Sequence, residues 1–389
     1  MLVTKWSFFD IIVKGAINMD SNIKKVLKKL EDNGYEAYIV GGFVRDYLLG
    51  NETTDVDICT NALPKDVLKI FDIKKETSLY GSIKITTKKY NFDITTYRTE
   101  SNYDNRRPTN VIYVNNLIDD IKRRDFTINS LCMNSDGTVI DLLGGKEDIE
   151  NRLIKVVGDT NLKLKEDPLR ILRAIRFSIV LDFKLYDEII NFIKNNKDLI
   201  KSLSYTRKKE ELDKILVSKN AAKGLEFLKE YDLLETLEIN YDKITIVPDL
   251  LGMWAQISYS EKYPFTRDNI SMINKIRKII EFGKFSNEVL FFNDLYTLLV
   301  SSEILKVSKE SVYDAYNSLP IKSREELAIK PKDIIDILNI VPSKLVKDIY
   351  DEILLKVING DLLNSKEELT RYVLNYKEWV IWVIQFWKG

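Results

Sequence analysis

The stretch Tyr38–Asp57, YIVGGFVRDYLLGNETTDVD, decides the fold of this 389-residue chain. Its apolar start predicts a short buried strand, and Gly41 and Gly42 predict a turn into a helix. A second strand then carries Asp55 and Asp57. Because successive side chains of a strand point to opposite faces, residues two apart share one face. The stretch therefore predicts a strand, a turn, a helix and a second strand with two neighbouring carboxylates.

Each part of this unit has a chemical use. Gly41 and Gly42 let the backbone approach an anion, which free N–H groups and the positive end of a helix favour. Arg45 lies in the first turns of that helix. Two carboxylates on one face repel each other unless a cation lies between them, and carboxylate oxygens suit Mg²⁺. A phosphate-binding turn beside such a pair is typical of nucleotidyl transfer.

Simpler explanations exist for both parts. A glycine pair between a strand and a helix is often only a turn. An Asp-x-Asp pair is often two solvated side chains at a strand edge. Their combination, one short helix apart, favours the functional interpretation.

Composition narrows the class of protein. Hydrophobic residues make up 45% of the chain and charged residues 30%, which is typical of a soluble globular protein of several domains. The formal net charge is zero, so a nucleic-acid partner would have to meet local basic patches. The chain has no histidine, which excludes imidazole bases, histidine-based triads and histidine-ligated zinc. Asp and Glu remain as candidate metal ligands.

Neither end of the sequence predicts a targeting or membrane segment. No apolar run is long enough to span a bilayer, and the N-terminal extension 1–18 lacks a signal-peptide pattern. Met19 is an alternative start. Cys59 and Cys132 lack metal or disulfide spacing, so we expect them in the core of a cytoplasmic protein. The tryptophan-rich end, Glu378–Gly389, is expected to pack on the core or on a partner.

The sequence around the opening stretch predicts a mixed sheet covered by helices. Apolar residues recur at helical spacing over Asn22–Asn33. Alternation predicts strands at Ile83–Thr87 and Phe92–Tyr97, the second of which carries Asp93. Arg98–Pro108, RTESNYDNRRP, is polar and unpatterned, so we expect a mobile loop, with a plain linker as the alternative.

A second dense stretch is Lys122–Asn129, KRRDFTIN. Asp125 is predicted to cap the helix that follows it. Arg124 and its neighbours can meet phosphate, while Asp125 and Asn129 can reach a sugar hydroxyl. The alternative is a solvated helix start.

A third stretch starts at Glu166 and reads EDPLRILRAIR, in a region that is predicted to be all-helical from about residue 149 onward. The proline after Asp167 fits the first helical position, so Asp167 is a candidate N-cap. Asp167 and Arg170 are three apart and can pair with each other. A basic ridge every three residues is formed by Arg170, Arg173 and Arg176. Further on, Arg207 and Glu211 have the spacing of an i,i+4 ion pair, which we expect to be structural.

Together these motifs resemble those of class II CCA-adding tRNA nucleotidyltransferases of the polymerase β superfamily, in the bacterial single-chain form. GGFVRD with DVD resembles the first family motif, RRDFTIN the second, EDPLRILRAIRF the nucleotide-selecting motif and RKKEE a later helical motif. The resemblance implies an α+β fold. Its parts would be a nucleotidyltransferase head with a small mixed or antiparallel sheet (19–148), then an all-α neck (149–217), body (218–320) and tRNA-binding tail (321–389).

The resemblance also implies roles for single residues. Asp55 and Asp57 would hold Mg²⁺, and Asp93 would be the third catalytic carboxylate, which activates or orients the tRNA 3′-hydroxyl. Arg207 and Glu211 would brace the pocket. The nucleotide would be bound by Gly41, Gly42, Arg45, Arg124, Asp125, Asn129, Asp167, Arg170, Arg173 and Arg176.

Within this set, Asp167 and Arg170 would read the base. Cytosine and adenine both carry an amino donor beside a ring-nitrogen acceptor, so a carboxylate and a guanidinium complement them. Guanine and uracil present a carbonyl and a ring N–H there, and leaving such groups unpaired would reject them.

The implied reaction is the addition of C, C and A to the 3′ end of tRNA from CTP and ATP. The expected partners are the acceptor end and elbow of tRNA, with no membrane, heme or organic cofactor. The full length of the Arg98–Pro108 segment favours complete addition, because relatives that add only CC tend to have a shorter one. The alternatives are a bacterial poly(A) polymerase, a partial CC- or A-adding enzyme, and a non-catalytic RNA-binding protein.

Overall fold

A computed structural model describes residues 19–73, 82–104 and 107–386 of the protein. The predictions made for residues 1–18 and for the side chains of the tryptophan-rich end lie outside the described residues. The chain divides into two compact units, Met1–Glu238 and Ile239–Gly389. The finer division into head, neck, body and tail stays a prediction.

The first unit is built on a mixed sheet. Its central strands follow the order β3-β4-β2-β1-β7-β8, in which β2 and β4 run parallel and the other neighbours antiparallel. The strands of the unit are β1 (Ala37–Val40), β2 (Asp55–Thr60), β3 (Ser82–Thr86), β4 (Asn91–Thr96), β5 (Arg98–Asp104), β6 (Arg107–Tyr113), β7 (Cys132–Met133), β8 (Val139–Ile140), β9 (Leu153–Ile154) and β10 (Lys184–Leu185). The predicted mixed sheet is thereby confirmed.

Helices cover this sheet and continue beyond it. They are α1 (Ser21–Glu31), α2 (Gly42–Leu48), α3 (Pro64–Phe71), α4 (Leu117–Lys122), α5 (Gly145–Glu150), α6 (Thr160–Glu166), α7 (Leu169–Leu181), α8 (Asp187–Asn196), α9 (Tyr205–Leu216), α10 (Ala221–Glu230) and α11 (Leu233–Leu237), with short 3₁₀ turns at Thr127–Asn129 and Lys197–Ser202. The strand residues Ile39, Ile58 and Ile94 are fully buried, which places the core on the covered side of the sheet.

The polar segment Arg98–Pro108 does not form the loop that its composition predicts. On both sides of residues 105–106 it forms β5 and β6, which pair antiparallel from Arg98 opposite Tyr113 to Asp104 opposite Arg107. Main-chain hydrogen bonds make this ribbon, so it needs no apolar alternation. The expected mobile loop is therefore wrong for the described part of the segment.

The second unit is helical apart from one short strand pair. Its elements are β11 (Ile239–Asn240), α12 (Leu250–Ala255), β12 (Ser258–Tyr259), α13 (Arg267–Phe282), α14 (Asn287–Phe292), α15 (Leu295–Ile304), α16 (Lys309–Asn317), α17 (Pro331–Leu338), α18 (Lys344–Ile358) and α19 (Lys366–Phe386), with a 3₁₀ turn at Arg324–Glu326. Buried residues such as Leu298, Ile334, Ile353 and Leu369 share one hydrophobic cluster. Across the described ranges, no helix is both long and apolar enough to cross a bilayer.

Candidate active site

Strand register brings the candidate catalytic carboxylates together. In the parallel pair of β2 and β4, Asp57 lies opposite Asp93 and Asp55 lies opposite Asn91. The Asn91 amide donates a hydrogen bond of 3.1 Å to Asp55 Oδ1, and the Ser82 hydroxyl donates to Asp93. The three carboxylates therefore occupy two adjacent strands. Alternation predicted the shared face of Asp55 and Asp57, whereas the place of Asp93 beside them was implied by the resemblance alone.

The surroundings of Asp57 make its charge unfavourable. Desolvation raises the pKa of this carboxyl above its ordinary value of 3.8, Arg124 opposes the rise, and Asp93 and Asp55 add to it. An anion that is desolvated and close to other anions is stabilised by a cation. The electrostatics of this edge of the sheet therefore favour a bound positive ion.

The carboxylates at this edge of the sheet can supply some of the ligands of a metal ion, but not all of them. Among the described residues, no group of three His, Cys, Asp or Glu side chains is close enough together to hold a metal. Mg²⁺ commonly binds through one or two carboxylates, and water and substrate phosphates complete its shell. The Asp55 and Asp57 pair on one strand face fits that requirement.

Gly41 lets the chain turn beside Asp57. Its φ of +80° is strained for other residues, and a Cβ on it would lie 3.5 Å from Asp57 Oδ2 and 3.7 Å from Arg124 Nη1. The space next to the carboxylate is thus kept open by the missing side chain. Gly42 follows it as the first residue of α2.

A chain of hydrogen bonds links α2 to the second motif. Arg45 holds Asp46 through two bonds of 2.8 and 2.9 Å and donates a 2.6 Å bond to Asn129 Oδ1. The Asn129 amide donates to Asp125 Oδ1 at 3.2 Å. The Phe126 backbone N–H also donates to Asp125 Oδ1. A 3₁₀ turn follows with Phe126 as its N-cap and no side-chain capping bond, so the predicted helix cap at Asp125 is wrong.

Arg124 is held on the other side of this turn. Its Nη2 donates a 3.0 Å bond to Asp120, a fully buried carboxylate that also accepts from Arg123. Within the described part of the chain, Arg124 Nε is buried without a hydrogen-bond partner. The fixed guanidinium presents Nη1 toward Gly41.

The arginines on α7 are more buried than a surface ridge. Arg170 and Arg176 are buried, whereas Arg173 is half-buried and donates bonds of 2.7 and 2.5 Å to Asp125 Oδ2. This pairing lowers the pKa of Asp125 although burial alone would raise it. Arg173 therefore joins α7 to the second motif.

Glu211 braces the pocket, but its partner is not the predicted one. Its carboxylate binds the buried Arg176 of α7 and also contacts Lys214. Arg207, with a side chain 58% exposed, pairs with Glu210. The i,i+4 spacing was compatible with a pair of Arg207 and Glu211, yet a partner on another helix occupies Glu211, so the predicted pair is wrong.

Asp167 and Arg170 lie where α6 ends and α7 begins. Asp167 Oδ1 accepts a 3.0 Å bond from the Leu169 backbone N–H. The N-cap of α7 is Pro168 and has no side-chain capping bond, so the predicted N-cap at Asp167 is wrong. Arg170 Nη1 donates to Glu166 Oε2 at 3.0 Å and to the Lys163 carbonyl at 2.9 Å. Glu166, which sequence reasoning did not select, is thus a carboxylate partner of Arg170, where we expected Asp167.

These residues surround one cavity of about 550 Å³. It brings together both ends of the predicted site, from the glycine turn to the start of α7. The lining residues are Gly41, Gly42, Arg45, Asp57, Arg123, Arg124, Asp125, Asn129, Asp167, Leu169, Arg170, Arg173, Arg176 and Phe177. Asp55 and Asp93 lie on the sheet strands beside Asp57, while Glu211 contacts the cavity through Arg176.

Sequence reasoning gave no role to Phe177, which lines the cavity, or to Asp120 and Glu166, which hold arginines in it. Arg123, also in the lining, was included only as a neighbour of Arg124. Asp120 and Glu166 lie three or four positions from the arginines that they bind, a helical spacing that could have revealed them. Phe177 lies within a quoted motif, but no charge or spacing pattern marked it.

Family models match along most of the chain. The poly A polymerase head domain matches residues 37–155, and the RNA- and SrmB-binding site of polymerase A matches residues 182–241. Domain 2 of tRNA nucleotidyltransferases matches residues 256–373. These matches and the cavity define a nucleotidyltransferase with a polymerase-type head.

Similar proteins narrow this class. The CCA-adding enzyme of Limosilactobacillus reuteri is 34% identical over 90% of this chain and 95% of its own length, and that of Geobacillus thermodenitrificans is 33% identical with the same coverage. A crystal structure of the Bacillus stearothermophilus CCA-adding enzyme in complex with CTP has a TM-score of 0.79 at 28% identity, covering 92% of this chain and 97% of that one. The chain belongs to the CCA-adding enzyme family of tRNA nucleotidyltransferases. Enzymes of this family typically use a divalent metal.

Proposed function

We propose that this enzyme adds C, C and A in turn to the 3′ end of tRNA, using CTP and ATP and releasing pyrophosphate at each step. The observation that carries the proposal is the shared cavity, in which Asp57 and the glycine turn meet Asp167 and Arg170. A nucleoside triphosphate needs both groups of residues, one for its phosphates and one for its base. Membership of the family supports the same reaction.

The carboxylates on the sheet would act at the reacting phosphate. Asp55 and Asp57 would hold a divalent ion, which we propose to be Mg²⁺ and which, when bound, supplies positive charge to the phosphates. Asp93, opposite Asp57, would orient the 3′-hydroxyl of the RNA and accept its proton. The hydroxyl oxygen would then attack the α-phosphorus as pyrophosphate leaves.

Arginines and the glycine turn would hold the triphosphate, and the second motif its sugar. Gly41 and Gly42 leave room for phosphate oxygens. The guanidinium groups of Arg45 and Arg124 would neutralise part of the negative charge of the phosphates. Asp125 and Asn129 would meet the ribose. Because Asp125 is already bonded to Arg173, sugar binding would adjust a network that exists before the nucleotide enters.

The base would be read at the start of α7. The Asp167 carboxylate would accept from the amino group of cytosine or adenine, and Arg170 would donate to the ring nitrogen. Glu166 fixes the Arg170 guanidinium from one side, so its direction is set before binding. The tRNA end would supply the change of pocket shape that switches selection from C to A.

The decisive experiment uses a tRNA that lacks its 3′ CCA, incubated with each nucleotide alone and with CTP and ATP together, and read at single-nucleotide resolution. We expect two additions with CTP alone and three with both nucleotides. A product that stops after CC in the presence of ATP, or only A added to tRNA ending in CC, identifies a partial enzyme. Long tails on unstructured RNA with ATP alone identify a poly(A) polymerase, and no Mg²⁺-dependent incorporation identifies a non-catalytic protein. We also propose a cytoplasmic location for the enzyme, where it would meet its tRNA substrate.

A further inference from the structure

The ring of Phe177 lies among three guanidinium groups. Its centroid is 5.0 Å from Arg45 Cζ, 5.3 Å from Arg173 Cζ and 3.7 Å from Arg176 Cζ. The ring is 6% exposed and lines the cavity together with all three arginines. The face of an aromatic ring attracts cations, and more strongly where water is excluded. Phe177 is therefore placed to hold three positive charges near one another.

The three arginines lie on two helices of the first unit. Arg45 lies on α2, after the glycine turn, whereas Arg173 and Arg176 lie on α7. Phe177 follows Arg176 on α7, so its ring connects that helix to α2. Phe126 of the second motif packs against it edge-on, with centroids 5.6 Å apart and ring planes at 79°. This contact fixes the plane in which the ring meets the cations.

A neutral ring suits this position better than another carboxylate. The three arginines already bind the carboxylates of Asp46, Asp125 and Glu211, respectively. A further anion would make this cluster net negative, and that charge would repel an incoming polyphosphate. The quadrupole of a phenyl ring stabilises the cations without changing the net charge of the cavity.

We propose that Phe177 is a positioning residue that sets the spacing of the Arg45, Arg173 and Arg176 guanidinium groups for polyphosphate binding. The inference rests on the proposed function in one respect, namely that the cavity receives a nucleoside triphosphate. It assigns to the aromatic ring an electrostatic role in addition to packing.

The test replaces Phe177 in the full chain with mono-, di- and trifluorinated phenylalanine. Fluorine withdraws electron density from the ring face and changes the ring size little, so the fold should be kept. The probe is inorganic tripolyphosphate, with its affinity measured by calorimetry. We expect the affinity for tripolyphosphate to fall with each added fluorine. The trifluorinated enzyme should bind it about tenfold more weakly than the unsubstituted enzyme. The KM for CTP should rise in parallel, while kcat changes less.

A matched control is the same substitution at Phe192, a buried phenylalanine on α8. Tripolyphosphate affinity should not change there, and the thermal midpoint should change equally in both series. An affinity that is constant across the Phe177 series overturns the proposal and assigns the ring to packing alone. So does an equal loss in the Phe192 series. The proposed function fails separately, if the unsubstituted enzyme binds tripolyphosphate but does not extend tRNA.

Discussion

At the scale of single residues, Gly41 shows how directly the sequence can specify a site. Its positive φ makes any other residue strained there, and an added Cβ would lie in van der Waals contact with Asp57 and Arg124. The glycine pair and the Asp-x-Asp spacing can both be recognised in the sequence alone. They correctly predicted a turn and a strand that meet at one cavity.

Replacing Asp57 with alanine should stop nucleotide incorporation without unfolding the protein. Asp57 is exposed on β2 and the pKa of its carboxyl is raised, so its removal should not destabilise the fold. The loss of a metal ligand should lower incorporation by more than about 10³-fold. Primer-extension assays and thermal midpoints measure the two effects, and Asp55→Ala should behave alike. Asp136→Ala, at an exposed carboxylate of the head, is the control. Turnover in Asp57→Ala equal to that of the unsubstituted enzyme argues against the metal assignment.

Replacing Asp167 with alanine should weaken the choice among nucleotides. The substitution removes the proposed acceptor for the amino group of C and A, and also the acceptor of the Leu169 N–H. We expect the ratio of kcat/KM for CTP over UTP to fall by about 10²-fold or more. Asp167→Asn, whose amide oxygen can still accept from the Leu169 N–H, separates the two effects. Strict preference for CTP and ATP in both variants would place base reading elsewhere.

Residue-level reasoning found the arginines but predicted two ion pairs with the wrong partners. Arg170 binds Glu166 where Asp167 was expected. Glu211 binds Arg176, 35 positions away in the sequence, where Arg207 was expected. A spacing rule along one helix ranks partners on that helix only. Contacts between helices depend on how the helices pack, and a single sequence does not state this.

At the scale of elements, the ion pair between α7 and α9 should be a main support of the site. Glu211→Ala would leave Arg176 buried without this carboxylate, and breaking a buried pair costs about 3–5 kcal/mol. Arg207→Ala, at an exposed pair on the same helix, should change the free energy of unfolding by less than about 1 kcal/mol. Urea unfolding of both variants measures the difference. Equal destabilisation would contradict the pairing described for Glu211.

The approach of α5 to the second motif should be equally intolerant of change. A Cβ on Gly145 would lie 2.3 Å from the Thr127 carbonyl oxygen, so Gly145→Ala must displace the turn that carries Asn129. We expect a loss of stability of about 1–3 kcal/mol and weaker CTP binding. Gly50→Ala is the control, because its φ is +73° but no atom lies within 4 Å of the added carbon. A larger loss of CTP affinity in Gly50→Ala than in Gly145→Ala would count against this account.

Regular elements were predictable because their apolar residues have a period. The helix at Asn22–Asn33 and the strands around Asp57 and Asp93 follow such patterns and were confirmed. The ribbon of β5 and β6 was not predictable, because the stretch Arg98–Pro108 is polar and without period, whereas its pairing is made between main chains. The two-residue strands after residue 149 are too short to leave a pattern.

At the scale of the whole molecule, the order of the motifs carried more information than any one motif. Each stretch alone had a simpler explanation, but the glycine turn, the second motif and the start of α7 line a single cavity in the first unit. Overall composition contributed an exclusion: the absence of histidine removed imidazole bases, histidine-based triads and histidine-ligated zinc.

Hydrogen exchange on the full chain should reveal this concentration of the site. Adding CTP with Mg²⁺ should slow amide exchange in the first unit, most around the glycine turn, the Thr127–Asn129 turn and α7. Ligand binding stabilises the segments that it holds by mass action. Exchange in the buried core of α18 in the second unit should change little. Equal protection of both units would show that the nucleotide acts on the whole chain.

The four-residue strand β1 is bonded on one side to β2, which bears the aspartates, and on the other to β7, which follows the second motif. β1 therefore fixes the position of the strand with the aspartates relative to the strand that follows the second motif. In a relative, a change in the length, bend or register of β1 would displace both groups of site residues at once. We therefore expect residues of β2 and β7 to covary among relatives, because β1 couples their positions. Helices far from the sheet are under no such joint constraint.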